Sequence, residues 1–161
     1  MPRLLPTVLG PAFLPLAELC AACRDGDLIR LDDVFILVDE PDRADLRASA
    51  LRTALPDVRA AEHLVAIGWT AAWIHGALDS APWQHEMCVR ADERASVRLA
   101  PRFVQRELRL RDYDEVLIAG LRVTTPRRTL HDLTRRSAHS PGFSSAEQRL
   151  ARLVTGIVSP R

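Results

Sequence analysis

Three groups of side chains in the sequence have types and spacings that could do chemistry. The run Thr124-Thr125-Pro126-Arg127-Arg128-Thr129 sets a capping hydroxyl, a proline suited to a first helical turn and two guanidinium groups side by side. Free N–H groups at such a helix start, together with the helix dipole, favour an anion that either Arg could clamp bidentately. The competing use is structural, with Arg128 turned inward onto Asp132 at i+4 or onto another nearby carboxylate. Arg102, Arg106, Arg109, Arg111 and Arg122, partly on alternating strand positions, could track a nucleic-acid backbone or form a solvated face. Only Phe103 and Tyr113 lie among them as rings on which bases could stack.

The remaining constellations point away from catalysis and metal binding. Cys20-x-x-Cys23 and His85-x-x-Cys88 supply four zinc-ligand types in two pairs. Cys20 and Cys23, however, sit in an Ala-containing helical pattern, as core thiols do. No metal or other cofactor is expected. His75, just before Gly76, reads as a helix-end histidine bonded to a last-turn carbonyl. His131 and Asp132 are helix neighbours and should point apart. Trp69, Trp73 and Trp83 read as core. With no convincing pair of acid and base, the chain is expected not to be an enzyme.

Composition narrows the classes further. The chain has 161 residues, 47% of them hydrophobic and 27% charged, enough for one domain or a core with a small appendage. All 22 basic side chains are Arg, so chemistries that require Lys, such as P-loop phosphate binding or Schiff-base formation, are excluded. The net charge of +1 conceals an asymmetry: residues 1–93 hold 8 Arg and 15 acids (net −7), whereas residues 94–161 hold 14 Arg and 6 acids (net +8). The back half is the candidate polyanion surface, unless the two halves neutralise each other across an interface. Three Cys suggest free thiols in a reducing compartment. Residues 4–17 have the outline of an export signal, but Pro6, Pro11 and Pro15 interrupt them and Glu18 follows, so a cytoplasmic protein without a membrane span is expected.

The elements that must position these residues follow from periodicity. A helix is predicted over 14–24, ending at Asp25-Gly26, then a hairpin of 28–31 and 34–38. A helix over 39–55 should have Pro41 in its first turn and expose Arg43, Arg47 and Arg52. Beyond it the pattern predicts a strand over 63–67, a helix over 68–76 and strands over 86–90, 97–99 and 106–111. A hairpin of 116–118 and 121–123 should turn at Ala119-Gly120. Helices are predicted over 125–136 and from Ser144, capped with Glu147, to about residue 155. This pattern is α+β: a reduced winged-helix-like segment (1–40), a connecting helix (41–56) and a mixed sheet-and-helix domain (57–161).

Three phrases occur in a suggestive order: Trp69-Thr70-Ala71-Ala72-Trp73-Ile74-His75-Gly76, Ile118-Ala119-Gly120-Leu121-Arg122-Val123-Thr124-Thr125-Pro126 and Arg128-Thr129-Leu130-His131-Asp132-Leu133. Their sequence and spacing resemble the AbiEi-type antitoxins of type IV toxin-antitoxin systems, in the form common in high-GC actinobacteria. The resemblance covers residues 60–136 well and 12–38 weakly. It implies an N-terminal winged helix that binds the operon promoter and a C-terminal α+β domain that counteracts a nucleotidyltransferase-like toxin encoded alongside. Two features depart from the family pattern. Asp32 and Asp33 stand where the wing would carry basic residues, and two carboxylates there would repel phosphate. The chain also stops at Arg161, where many relatives continue into an endonuclease-like domain.

The expected function is thus an antitoxin-like, non-enzymatic regulator that binds its own promoter DNA. The expected nucleic-acid contacts are Arg127, Arg128, Arg106, Arg109 and Arg122. A cognate toxin is the expected protein partner. The alternative is a protein-interaction module, or a homodimer, that does not bind DNA.

Overall fold

A computed structural model describes residues 6–56, 62–90, 99–136 and 143–156. The chain begins with helix α1 (Leu16–Asp25), entered from Pro15 and stopped by Gly26, whose left-handed φ of 85° returns the chain toward a hairpin. Strands β1 (Leu28–Leu31) and β2 (Val34–Leu37) pair antiparallel, with Leu31 opposite Val34 and Asp32-Asp33 in the turn. The hairpin has two buried faces, which accounts for the unbroken apolar run in β2. Phe35 joins Leu9, Leu19 and Leu28 beneath α1, while Val34 faces the main core.

Helix α2 (Ala44–Thr53) is shorter than the predicted 39–55. Pro41 and Asp42 precede it, and Asp42 is used as a side-chain partner rather than as helix. Arg47 was expected to be exposed and is buried instead. Its guanidinium pairs with Asp42, donates to the carbonyls of Trp73 and Leu78, and lies 5.6 Å from the Trp73 ring centroid. A planar, five-donor cation can satisfy all these acceptors at once, which is what makes burial of a charge tolerable here.

The second half is a five-stranded sheet with helices packed on it. Its strands are β3 (Leu64–Ala66), β4 (His85–Arg90), β5 (Phe103–Leu108), β6 (Glu115–Ile118) and β7 (Leu121–Thr124), in the order β5-β4-β3-β7-β6. The β3–β7 and β4–β5 pairs are parallel and the other two antiparallel. Strand β5 begins three residues before the predicted 106, because Phe103 pairs with His85 and enters the core. Of the predicted strand 97–99, residues 97 and 98 lie outside the described residues and Leu99 is irregular. The β6–β7 turn is as predicted: Ala119 (φ 47°) and Gly120 (φ 78°) are both left-handed, as a two-residue type I′ turn requires.

Helix α3 (Gly68–Ile74) follows β3 and buries Trp73 in the main core with Leu51, Leu64, Met87 and Val123. Trp69 is half-buried, whereas Trp83 is 89% exposed and not a core residue. Helices α4 (Pro126–Arg136) and α5 (Phe143–Thr155) share a second cluster with α3, built on Ala72, Leu133, Ala146 and Leu150. The expected cap of α5 depends on the Ser144 side chain, which lies outside the described residues.

The hairpin turn is bonded to the sheet. Asp32, its side chain 1% exposed, accepts from His85 Nε2 at 2.9 Å and from Arg102, which also pairs with Asp33. The Thr70 hydroxyl lies 3.4 Å from His85 Nδ1 and accepts the Glu86 N–H at 2.8 Å. Burial alone raises the pKa of Asp32, but its interactions with His85 and then Arg102 outweigh that and hold it below the usual carboxylate value. Asp32→Ala would leave His85 and Arg102 without their acceptor, so a loss of about 3 kcal/mol is expected in urea unfolding. Asp33→Ala, at a half-exposed position, should cost no more than about 1 kcal/mol.

Candidate nucleic-acid interface

The run from Thr124 to Thr129 forms the junction between β7 and α4, and each residue has a separate task. Thr124 and Thr129 are fully buried and their hydroxyls meet at 2.8 Å. Thr125 caps the helix: its hydroxyl accepts the Arg128 N–H at 3.3 Å and its carbonyl the Thr129 N–H at 2.8 Å. Pro126 takes the first helical position, where its missing N–H costs nothing. Of the helix-start donors, the Arg128 N–H is used by the Thr125 hydroxyl, the Thr125 N–H by the Asp114 carbonyl, and a third does not exist at Pro126. The anion attraction of this site must therefore come chiefly from side chains.

The two arginines face opposite ways. Arg127 is exposed, with no carboxylate partner among the described residues. Arg128 turns inward, its Nε donating to Asp132 at 2.8 Å, one terminal nitrogen to Asp114 at 2.6 Å and the other to the Arg109 carbonyl at 3.2 Å. Burial lowers the guanidinium pKa, but Asp132 and Asp114 raise it by more, so Arg128 stays charged. The inward reading of Arg128 is the arrangement found. Asp114, itself buried, also accepts the Arg111 N–H and, through its carbonyl, the Thr125 N–H. In this way a short 3-10 turn (Asp112–Asp114) is tied to the start of α4.

Between that turn and α4 lies a concavity of about 850 Å³, lined by Arg109, Arg111, Tyr113, Thr125, Arg127 and Arg128, with His131 and Asp114. The lining holds four guanidinium groups and one carboxylate, Asp114, which pairs with Arg128, as Asp132 does also. Arg109, Arg111 and Arg127 have no ion-pair partner among the described residues. Arg111 instead donates to the Tyr113 hydroxyl and lies 5.7 Å from the centre of its ring. Tyr113 and Arg111 belong to the site, although Arg111 was not among the five expected contacts. The alternation of charge around them read as strand, whereas the chain leaves the sheet at Leu108 and turns around the mouth of the concavity.

The other expected arginines lie elsewhere. Arg106 on β5 donates to Glu86 Oε1 at 2.8 Å, and Arg122 on β7 lies 3.8 Å from Glu115 Oε1. The structure therefore brings together Arg109, Arg127 and Arg128, and does not bring Arg106 or Arg122 into their concavity. Arg102, another candidate for the basic face, is committed to the hairpin turn.

The zinc-like residues are not gathered. His85 is engaged by Asp32, Cys23 Sγ donates to the Leu28 carbonyl at 3.1 Å, and Cys88 is buried on the opposite face of the sheet, its thiol pushed up to about 12 by burial and then by the Glu115 carboxylate. Among the described residues no group of three His, Cys, Asp or Glu side chains could hold a metal ion. His131 and Asp132 do not point apart as expected: His131 Nδ1 lies 3.3 Å from Asp132 Oδ1, a carboxylate shared with Arg128.

His75 meets a different acceptor from the one expected. Its Nε2 bonds the Thr124 carbonyl at 2.7 Å, across to β7, rather than a carbonyl of its own last turn. Burial lowers its pKa below the ordinary 6.5, against a smaller opposing effect of that hydrogen bond. The folded state prefers the neutral ring, so this contribution is present above the unfolded pKa and is lost as pH falls through it. His75→Gln, which keeps an N–H donor, should flatten the fall in thermal midpoint between about pH 7 and about pH 5. The two Arg roles are separable in the same way. Arg128→Met should lower stability by about 2 kcal/mol in urea unfolding, because it strands two carboxylates, while Arg127→Met should stay within about 0.5 kcal/mol of the parent.

No helix among the described residues is long and apolar enough to cross a membrane. A search among curated proteins found no match. The family model for the AbiEi antitoxin C-terminal domain matches residues 64–160, more than half of the chain, from β3 through α5. That span contains the whole sheet, the junction at Thr124–Thr129 and every arginine of the concavity. The chain belongs to the AbiEi antitoxin family.

Proposed function

We propose that this antitoxin is a non-enzymatic, cytoplasmic regulator that contacts its own promoter DNA through the basic concavity beside α4. The observation that carries this reading is the set of three guanidinium groups around one recess, on Arg109, Arg111 and Arg127, that have no ion-pair partner among the described residues. Arg128 lends charge there while fixing the helix. Arg106 and Arg122, each beside a carboxylate, add weaker contacts on the sheet. The N-terminal helix and hairpin are the winged-helix-like part of the chain. With Asp32 buried against His85 and Arg102, the hairpin turn is not the DNA-contacting element, and α1 offers only Glu18, Arg24 and Asp25 as charged side chains. Guanidinium contacts to phosphates supply affinity rather than sequence preference. A nearby-encoded toxin is the partner whose effect the antitoxin counteracts.

A second reading, a protein-interaction module or homodimer, draws on β6. That edge strand exposes Leu117 (68%) and Val116 (40%).

Binding to upstream DNA, followed by fluorescence anisotropy, is expected to weaken by on the order of tenfold or more between low and physiological salt. In Arg109→Ala/Arg127→Ala the salt slope should shrink by about 2, one for each lost phosphate contact. No binding at low salt, together with a dimer by light scattering, would select the second reading.

A further inference from the structure

We propose that the concavity beside α4 takes an unpaired nucleotide, its base stacked on Tyr113 and its phosphate held by Arg109 and Arg127. The inference rests on the reading that this recess faces nucleic acid, and goes beyond it by naming the form of nucleic acid that fits.

The recess, at about 850 Å³, falls in the size range of small-molecule sites, large enough for a nucleotide to sit inside it. Tyr113, the only tyrosine of the chain, stands on its rim with 67% of its surface exposed and takes part in none of the hydrophobic clusters. A solvent-facing aromatic normally varies its rotamer. Here Arg111 donates to the phenol oxygen and also approaches the ring, so the ring is held in place before any ligand arrives. The arrangement presents a π-surface, braced by a cation, next to two guanidinium groups with no carboxylate partner among the described residues. Leu110 adds an apolar wall.

An intact duplex can offer phosphates to Arg109 and Arg127, but its base faces are already stacked on one another. A single strand or frayed end offers both a phosphate and a free base face, which an aromatic ring receives whatever the base. Phe103, the other ring among these arginines, cannot serve, because it is buried against His85.

The test compares labelled oligonucleotides of about ten nucleotides, as single-stranded DNA, single-stranded RNA and blunt duplex DNA of one sequence, against the full chain at low salt. Single strands are expected to bind about tenfold more tightly than the duplex. Tyr113→Leu should lose about tenfold or more for single strands and no more than about threefold for the duplex, while Tyr113→Phe keeps single-strand binding within about threefold. Tyr113 is exposed, so an unchanged unfolding midpoint will show that Tyr113→Leu still folds. The RNA and DNA arms decide which strand is the source of the nucleotide. Single-strand binding unaffected by Tyr113→Leu, or a preference for duplex, overturns the proposal while leaving promoter binding intact. Absence of binding to every probe removes both.

Discussion

Two adjacent residues of one strand, His85 and Glu86 at the start of β4, hold the molecule together. Neighbours on a strand point to opposite faces, and here each face is tied to a different part of the chain. His85 reaches the hairpin turn through Asp32 and sits between Trp73 and Phe103. Glu86 receives the Trp69 N–H at the start of α3, Arg106 from β5 and Arg136 from the end of α4. Gly68 is required by the same contact, since a Cβ there would lie 1.8 Å from Glu86 Oε2 and its φ of 56° disfavours any L side chain. Thr70 links the two residues, touching the ring of one and the backbone of the other. A buried carboxylate with three donors from three elements fixes their mutual positions more strictly than apolar packing could, because losing any donor leaves a charge poorly solvated.

The same network accounts for the division of charge along the chain. Much of the acidic excess of the front half is used to neutralise arginines of the back half: Asp32 and Asp33 on Arg102, Glu86 on Arg106 and Arg136, Asp79 on Arg149. The near-zero net charge is therefore an internal balance as well as a compositional one. Where the front half does not reach, around the start of α4 and the turn before β6, the balance fails. Asp114 and Asp132 both engage Arg128, and neither pairs with Arg109, Arg111 or Arg127. The basic recess is the remainder left after folding, so it could not be located by counting charges along the sequence.

Periodicity made most of the elements legible. The first helix with its Gly26 stop, both hairpins and α4 lie where turn residues and apolar spacing place them, because those signals are local. The misplacements were all tertiary in origin. Asp42 and Arg47 left the expected helical roles to bond each other, and β5 was drawn upstream by a partner strand that its own residues do not announce. In the candidate site, the capping role of Thr125 and the Arg128–Asp132 pair were legible from i+3 and i+4 spacing. Arg106 and Arg122 were indistinguishable from Arg109 and Arg127 in sequence, since what separates them is a carboxylate on another strand. Tyr113 gave a faint signal, one of two rings among arginines.

Asp32 shows how a residue can change meaning between sequence and fold. On an exposed turn, two consecutive aspartates would repel phosphate and argue for a wing that had lost its function. Buried against His85 and Arg102, Asp32 is instead the contact that seats the hairpin on the sheet. The two demands exclude each other. A turn that projects into a nucleic-acid groove must be free of the body of the protein, and one that carries a buried carboxylate must not be. On the reading proposed above, nucleic-acid contact therefore falls to the recess beside α4, whose Arg109, Arg111 and Arg127 have no carboxylate partner among the described residues, in the other half of the chain from the segment whose outline first suggested it.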